Sequence, residues 1–221
     1  MIPCTRPPVL DAALYDLGCE SPQGRARAAA ALSSAGPEDA TRAALALRPL
    51  LGDPAPEVRY AAALSLGELK DGGAVGELIA LMQRDEDVLS RQAAVIALGR
   101  IGDKSALQPL LDVLHRGLPD LRFQAVTSLA ELDAEAAIEP LRQTLHDEDA
   151  EVRASAAAAL GDLGDRASVD AICRQLDDTV QAVRVEAAVA LARLQDRRGT
   201  LTLAEHLGHR DFGLLAAEHL F

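Results

Sequence analysis

The sequence predicts an all-α protein, an α-solenoid of about seven helix pairs. Three observations predict it. An arginine recurs at Arg27, Arg59, Arg91, Arg122, Arg153 and Arg184, with successive spacings of 32, 32, 31, 31 and 31 residues. Apolar residues follow each arginine at offsets that trace a helix face. Finally, 49% of the 221 residues are hydrophobic but only 2% are aromatic, with no Trp. Small aliphatic side chains therefore fill the core, which suits closely packed helices.

The first helix of each unit carries the arginine. Three residues on comes an alanine, Ala30, Ala62, Ala94, Ala125, Ala156 or Ala187, and seven on, from the second copy, Leu66, Leu98, Leu129, Leu160 or Leu191. Ten on stand Leu69, Ile101, Leu132, Leu163 and Leu194. Offsets of 3, 7 and 10 lie on one side of a helix. The second helix follows, with Leu78, Leu110, Leu141, Ile172 and Leu203 at offset 19 and Met82, Leu114, Leu145, Leu176 and Leu207 at offset 23. Pro109 and Pro140 are expected in or near the first turn of these helices, where proline is tolerated. Asp71, Asp103, Asp165 and Asp196 stand between the helices as candidate caps, and Gly72, Gly102 and Gly164 supply chain freedom there. A second acidic series, Asp53, Asp85, Asp147 and Asp178, lies six residues before an arginine and is expected to cap the arginine-bearing helix. The whole chain reads as a single repeat domain. Residues 1–36 form an irregular first pair, residues 37–197 the regular repeats, and residues 198–221 a C-terminal cap pair.

The phrases "DPAPEVRYAAALSLGELKD", "DEDVLSRQAAVIALGRIGD" and "DEDAEVRASAAAALGDLGD" follow the pattern D-x-x-x-x-V-R-x-A-A-x-x-x-L-G-x-L-G-D, with Lys70 for Gly in the first, Ser90 for Val and Ile101 for Leu in the second, and Ser155 for Ala in the third. This resembles the HEAT-like repeat family, in particular the short repeats of phycobilisome lyase subunits, from about Arg25 to the end of the chain. The resemblance implies the fold closely and the function poorly, because many activities use such arrays. It also implies that the arginine-bearing helix lines the inner, concave surface.

Composition and motifs exclude several functions. A formal charge of -12 and a pI near 4.8 oppose nonspecific binding to phosphate backbones, so no nucleic-acid partner is expected. Cys4, Cys19 and Cys173 form no CxxC motif and are odd in number. The N-terminus lacks the layout of a signal peptide and no run of about 18 apolar residues occurs, so neither a membrane span nor membrane contact is expected and the expected location is cytoplasmic. The five histidines form no HExxH and no His-Glu step of the kind that HEAT-type iron hydroxylases use. No G-x-S-x-G, P-loop or G-x-G-x-x-G motif is present. HEAT-like DNA glycosylases depend on a basic groove and aromatic residues, which this chain lacks. No catalytic residue, metal site or cofactor is assigned.

Two polar series read as structural. The arginines are expected to bond to turn aspartates and tie neighbouring units together. The acidic turns Asp85-Glu86-Asp87, Asp147-Glu148-Asp149 and Asp177-Asp178 read as caps on a solvated edge, since no EF-hand spacing occurs. What varies between units points to function. Offsets +1, +2 and +5 of the arginine-bearing helix hold Tyr60 and Leu64, Gln92 and Ile96, Phe123, Gln124 and Thr127, and Val185, Glu186 and Val189. This strip is weighed evenly between a partner-binding surface and packing between neighbouring helices. Binding of another protein along it, by a noncatalytic scaffold or adaptor, is the leading expectation. The family resemblance implies the alternative, a subunit of a bilin lyase or a related tetrapyrrole-protein maturation enzyme. At the C-terminal helix, Leu214, Leu215, Leu220 and Phe221 cannot all face inward on so short an element. Self-sealing, end-to-end self-association and cover by a partner are the three outcomes left open there.

Overall fold

The structure, a computed structural model, describes residues 9–206. Leu207 and the expected C-terminal helix with Leu214, Leu215, Leu220 and Phe221 lie outside the described residues. Among the described residues the chain is an α-solenoid of paired helices, and no helix there is long and apolar enough to cross a membrane. It divides into two compact units, one within residues 1–110 and the other within 111–221.

In the first unit, α1 (Val9–Asp16) pairs with α2 (Pro22–Leu32), and α3 (Ala40–Leu47), extended by a 3-10 turn over Arg48–Gly52, pairs with α4 (Pro56–Glu68). Next come α5 (Val75–Arg84) and α6 (Val88–Ile101). The division between the units falls within α7 (Leu107–Arg116). The second unit holds α8 (Pro119–Leu132), α9 (Ala134–Thr144), α10 (Ala150–Asp162), the short α11 (Val169–Cys173), α12 (Gln181–Arg193) and α13 (Arg197–His206). The even-numbered helices carry the repeat arginines. They pack on one another, α2 on α4 on α6 in the first unit and α8 on α10 on α12 in the second.

The core follows the repeat. Ala62, Ala94, Ala125, Ala156 and Ala187 are fully buried, as are Leu66, Leu98, Leu129, Leu160 and Leu191. On the odd-numbered helices Leu78, Leu110, Leu141 and Ile172 are fully buried. Alanine beside leucine lets the even-numbered helices approach closely. Glycine brings them closer at two places. A Cβ on Gly67 would stand 2.8 Å from Ala97 Cα, and one on Gly161 would stand 2.8 Å from Ala190 Cα.

The first repeat departs from the predicted register. Its ladder arginine is Arg25, with Ala28 three and Leu32 seven residues on, both buried, whereas Arg27 and Ala30 are exposed. The interval to Arg59 is therefore 34 residues (59 − 25), and the leucine missing from the Arg27 register is Leu32. Pro140 lies inside α9 and not in its first turn, because a single residue, Asp133, joins α8 to α9 and α9 starts early. Offset +11 takes the left-handed conformation that closes the helix at Gly102 (φ 76°) and Gly164 (φ 69°). In the repeat of Gly72 that role falls to Lys70 (φ 51°), and in a later repeat to Gln195 (φ 62°).

Candidate functional site

The most ordered polar feature is a ladder of arginine forks. Arg25 Nε and Nη2 donate to Asp53 at 2.8 Å each, Arg59 to Asp85 at 2.6 and 2.7 Å, Arg122 to Asp147 at 2.9 and 2.7 Å, and Arg153 to Asp178 at 2.8 and 3.0 Å. The third nitrogen turns back to the loop before its own helix. Arg59 Nη1, for example, donates to the Asp53 and Pro54 carbonyls. Each aspartate accepts a backbone N–H two residues on as well, as Asp53 does from Ala55 and Asp178 from Val180. Each fork thus clamps two successive repeats at once. A second set of forks comes from the other layer. Arg48 holds Asp71 at 2.7 Å through Nε and Nη2, and Arg142 Nη2 donates to Asp165 at 2.6 Å.

These pairings correct the expected capping. Asp53, Asp85, Asp147 and Asp178 do not cap the arginine-bearing helices. Where a carboxylate does so it is Asp87, accepting from Ser90 N–H, or Asp149, accepting from Glu151 and Val152 N–H. Asp103 and Asp196 accept from the backbone N–H two residues on, as foreseen, but Asp165 spends its oxygens on Arg142 and Ser168. The acidic turns therefore present less free charge than their sequence suggests. Electrostatics agree. The Arg25 fork holds Asp53 below the usual carboxylate range, Arg48 does the same for Asp71, and Arg153 for Asp178. For Asp85, burial pushes upward, and the fork of Arg59 with the Asp87 N–H outweighs it.

Among the described residues two members of the ladder, Arg91 and Arg184, make no fork to a carboxylate, and Arg184 keeps only the bonds to its own loop. Arg91 Nε is buried with no hydrogen-bond partner among the described residues. The sequence accounts for it. The clamping aspartate stands six residues before the next repeat arginine, and that position before Arg122 is Arg116.

The predicted strip residues separate into two groups. Tyr60, Phe123 and Thr127 are exposed, Tyr60 by 38% and Phe123 by 37%. Leu64, Gln92, Ile96, Gln124 and Glu186 are half-buried. Val185 and Val189 are buried and add no surface, and Val189 packs with Ala188 and Leu203. The strip is thus aromatic and polar on α4 and α8 and loses its apolar part on α12.

Sequence reasoning missed a groove between α8 and α10. It measures about 320 Å³ and is lined by Thr127, Ala130, Ser155, Ala158 and Ala159, with Glu131 and Asp162 among its walls. It opens where the packing glycine is absent. Offset +8 is Gly67 in α4 and Gly161 in α10, each against an alanine of the next helix, but it is Ala130 in α8. α8 therefore lacks the close glycine-to-alanine contact that α4 and α10 make with the next helix. The next offset, +9, carries charge in every regular repeat: Glu68, Arg100, Glu131, Asp162 and Arg193. Arg100 donates to Glu68 at 2.5 Å and Arg193 pairs with Asp162 at 2.7 Å, while Glu131 makes no ion pair among the described residues. The two successive acids at this offset, Glu131 and Asp162, with a single arginine after them, were the signal available in the sequence. Among the described residues no group of three or more His, Cys, Asp or Glu could hold a metal ion.

Comparisons with known proteins concern the whole chain. The HEAT-repeat family profile matches residues 10–89, 75–155 and 138–219. No curated protein sequence matches significantly. Among solved structures, the complex of CpcE and CpcF of phycocyanin lyase from Nostoc sp. PCC7120 is similar over 100% of this chain and 96% of that one, at 20% identity and a TM-score of 0.62. The YIBA protein of E. coli is similar over 96% and 81%, at 19% identity and a TM-score of 0.60. A designed armadillo repeat protein is similar over 84% and 99%, at 22% identity and a TM-score of 0.55. At these identities the likeness is one of fold.

Proposed function

The chain belongs to the HEAT-repeat family, and on that premise we propose that it is a noncatalytic scaffold that binds another protein along the exposed face of its arginine-bearing helices. One observation carries the reading. Offsets +3 and +7 are spent on burial in every regular repeat, whereas +1 exposes two of the chain's few aromatic residues, Tyr60 on α4 and Phe123 on α8. A large aromatic partly exposed on a helix whose +3 and +7 residues are buried is a candidate anchor for a partner.

The test begins with a partner captured from the native cell and identified by mass spectrometry. Tyr60→Ala combined with Phe123→Ala is expected to weaken its binding by about 2 kcal/mol or more, as anchor residues do, with the helical circular dichroism signal retained. Undiminished affinity would remove this face from consideration. The lyase-subunit alternative is read separately, from the absorbance of the purified protein mixed with a bilin. A red-shifted stoichiometric complex would support it.

A further inference from the structure

We propose that the groove between α8 and α10 receives the basic side chain of a partner helix, with Glu131 as its counter-charge and Phe123 as the apolar contact two turns away. The inference rests on the protein-binding reading above and names the partner's chemistry.

The size of the groove sets the class of occupant. About 320 Å³ is at the small end of ligand sites, which run from roughly 300 to 1,000 Å³, so it suits a side chain and not a large cofactor. Its walls suit an aliphatic stem. Ala130, Ala158 and Ala159 offer half-exposed methyls, and Ser155 and Thr127 add hydroxyls without bulk. Its charge selects the head group. At offset +9 the equivalent acid of α4 is engaged by Arg100 and that of α10 by Arg193, so Glu131 is the acid of this row left without an ion pair among the described residues. A guanidinium or ammonium from outside the chain would give Glu131 what the repeat gives its counterparts. The stem of such a residue lies along apolar surface while its head stays with the carboxylate. The net charge of -12 favours the approach of a basic partner at long range.

The spacing sets the partner's form. Phe123, Thr127 and Glu131 are four residues apart on α8 and so share one face. Phe123 and Glu131 are separated by about 12 Å along the axis, at 1.5 Å per residue. A partner helix lying along α8 meets them with an apolar residue and an Arg or Lys about eight residues apart.

The probe is a fluorescein-labelled, alanine-based helical peptide of about 18 residues, long enough to hold helix in water, with Leu and Arg eight residues apart. Companion peptides carry Glu for the Arg or Ser for the Leu. Anisotropy at low salt, with the full chain, is expected to show the parent peptide binding more tightly than either companion. Glu131→Gln is expected to weaken it about fivefold, the upper range for an exposed ion pair. Glu131→Arg should reverse the preference between the Arg and Glu peptides, and Ala158→Trp, which fills the groove, should abolish binding. Glu131 is exposed and Ala158 half-exposed, and circular dichroism checks that each of the three variants is folded. Equal affinity for the Arg and Glu peptides, indifference to Glu131→Gln, or binding of none of the peptides would each overturn the inference. A captured native partner that still depends on Tyr60 and Phe123 would leave the protein-binding reading standing in that event.

Discussion

Replacing Arg153 with Ala tests what the arginine ladder does. Arg153 makes four hydrogen bonds: two to the Asp178 carboxylate at 2.8 and 3.0 Å, one to the Asp147 carbonyl at 2.8 Å and one to the Glu148 carbonyl at 3.1 Å. Its side chain is 14% exposed and that of Asp178 10%. The substitution leaves Asp178 largely desolvated, with the Val180 N–H as its remaining partner. Removing one partner of a buried pair costs about 3–5 kcal/mol, and residual solvent access lowers that to roughly 2–4 kcal/mol here. For a chain of this length about 1 kcal/mol shifts the melting temperature by roughly 2–4 °C, so a fall of about 4–16 °C is expected by calorimetry. Arg91 supplies the internal control. It occupies the same place in its repeat but its buried Nε has no partner, so Arg91→Met removes a desolvated donor and keeps the aliphatic stem. It is expected to be neutral or stabilising. A loss for Arg91→Met equal to that for Arg153→Ala would refute the reasoning, because the stem is retained at position 91 and the guanidinium would then stabilise the chain without any fork.

Acid should act through the aspartates. Asp53, Asp71, Asp85, Asp165 and Asp178 are all held below the usual carboxylate range in the folded state, so their contribution is complete above the unfolded value of about 4 and is lost as pH falls through the lower folded values. Melting temperature is therefore expected to fall below about pH 4 with no matching fall between about pH 5 and 8. An equally steep decline near neutrality would contradict this. Lys70→Gly should stabilise the chain by about 1 kcal/mol, since Lys70 is exposed and holds φ 51° where glycine carries no penalty. Urea unfolding reads the difference directly. Gly161→Leu should destabilise by more than Gly72→Leu, because a Cβ at 161 stands 2.8 Å from Ala190 whereas nothing lies within 4 Å of one at 72. Equal effects would show that the close approach of α10 and α12 is unimportant.

The fold was legible because the repeat writes its core at fixed offsets, and a buried Ala at +3 and Leu at +7 admit little other arrangement. The failures have definite physical origins. Arg25 and Arg27 lie two residues apart, and the buried leucine at +7, Leu32, distinguishes the Arg25 register from the Arg27 register that the spacing alone suggests. Lys70 was overlooked because a glycine nearby, Gly72, looked better suited to the left-handed turn. The aspartates six residues before the arginines were read as caps, since capping is local and visible in sequence, while the forks join residues 25 to 28 apart. Val185 and Val189 were placed on the strip by offset alone. Their burial depends on α13 packing over α12, which the offset does not encode.

Three departures from the repeat fall close together. Arg116 stands where the clamping aspartate belongs, Ala130 where α4 and α10 have glycine, and Asp133 where four other repeats turn left-handed. All three belong to the repeat built around Arg122, and Glu131, the unpaired acid, lies between the last two. Each has its own local consequence: a missing acceptor, a methyl between two helices, and a one-residue junction into α9. A solenoid's uniform positions serve the stack, and any repeat could supply them. Positions where one repeat abandons the pattern are free to serve something else. At one of them, Ala130, lies a groove with an acid without an ion pair, two turns from an exposed aromatic, where α4 and α10 hold Gly67 against Ala97 and Gly161 against Ala190. That coincidence within one repeat is the reason to look for a partner on α8 before any other helix. Ala130→Gly puts it to the test. Restoring the repeat's glycine should let α8 and α10 approach and should weaken binding of the Leu-Arg helical peptide, while Ala62→Gly, at a fully buried position on α4, lowers stability without that selective effect. If Ala130→Gly leaves peptide binding untouched, the groove does not owe its opening to that methyl.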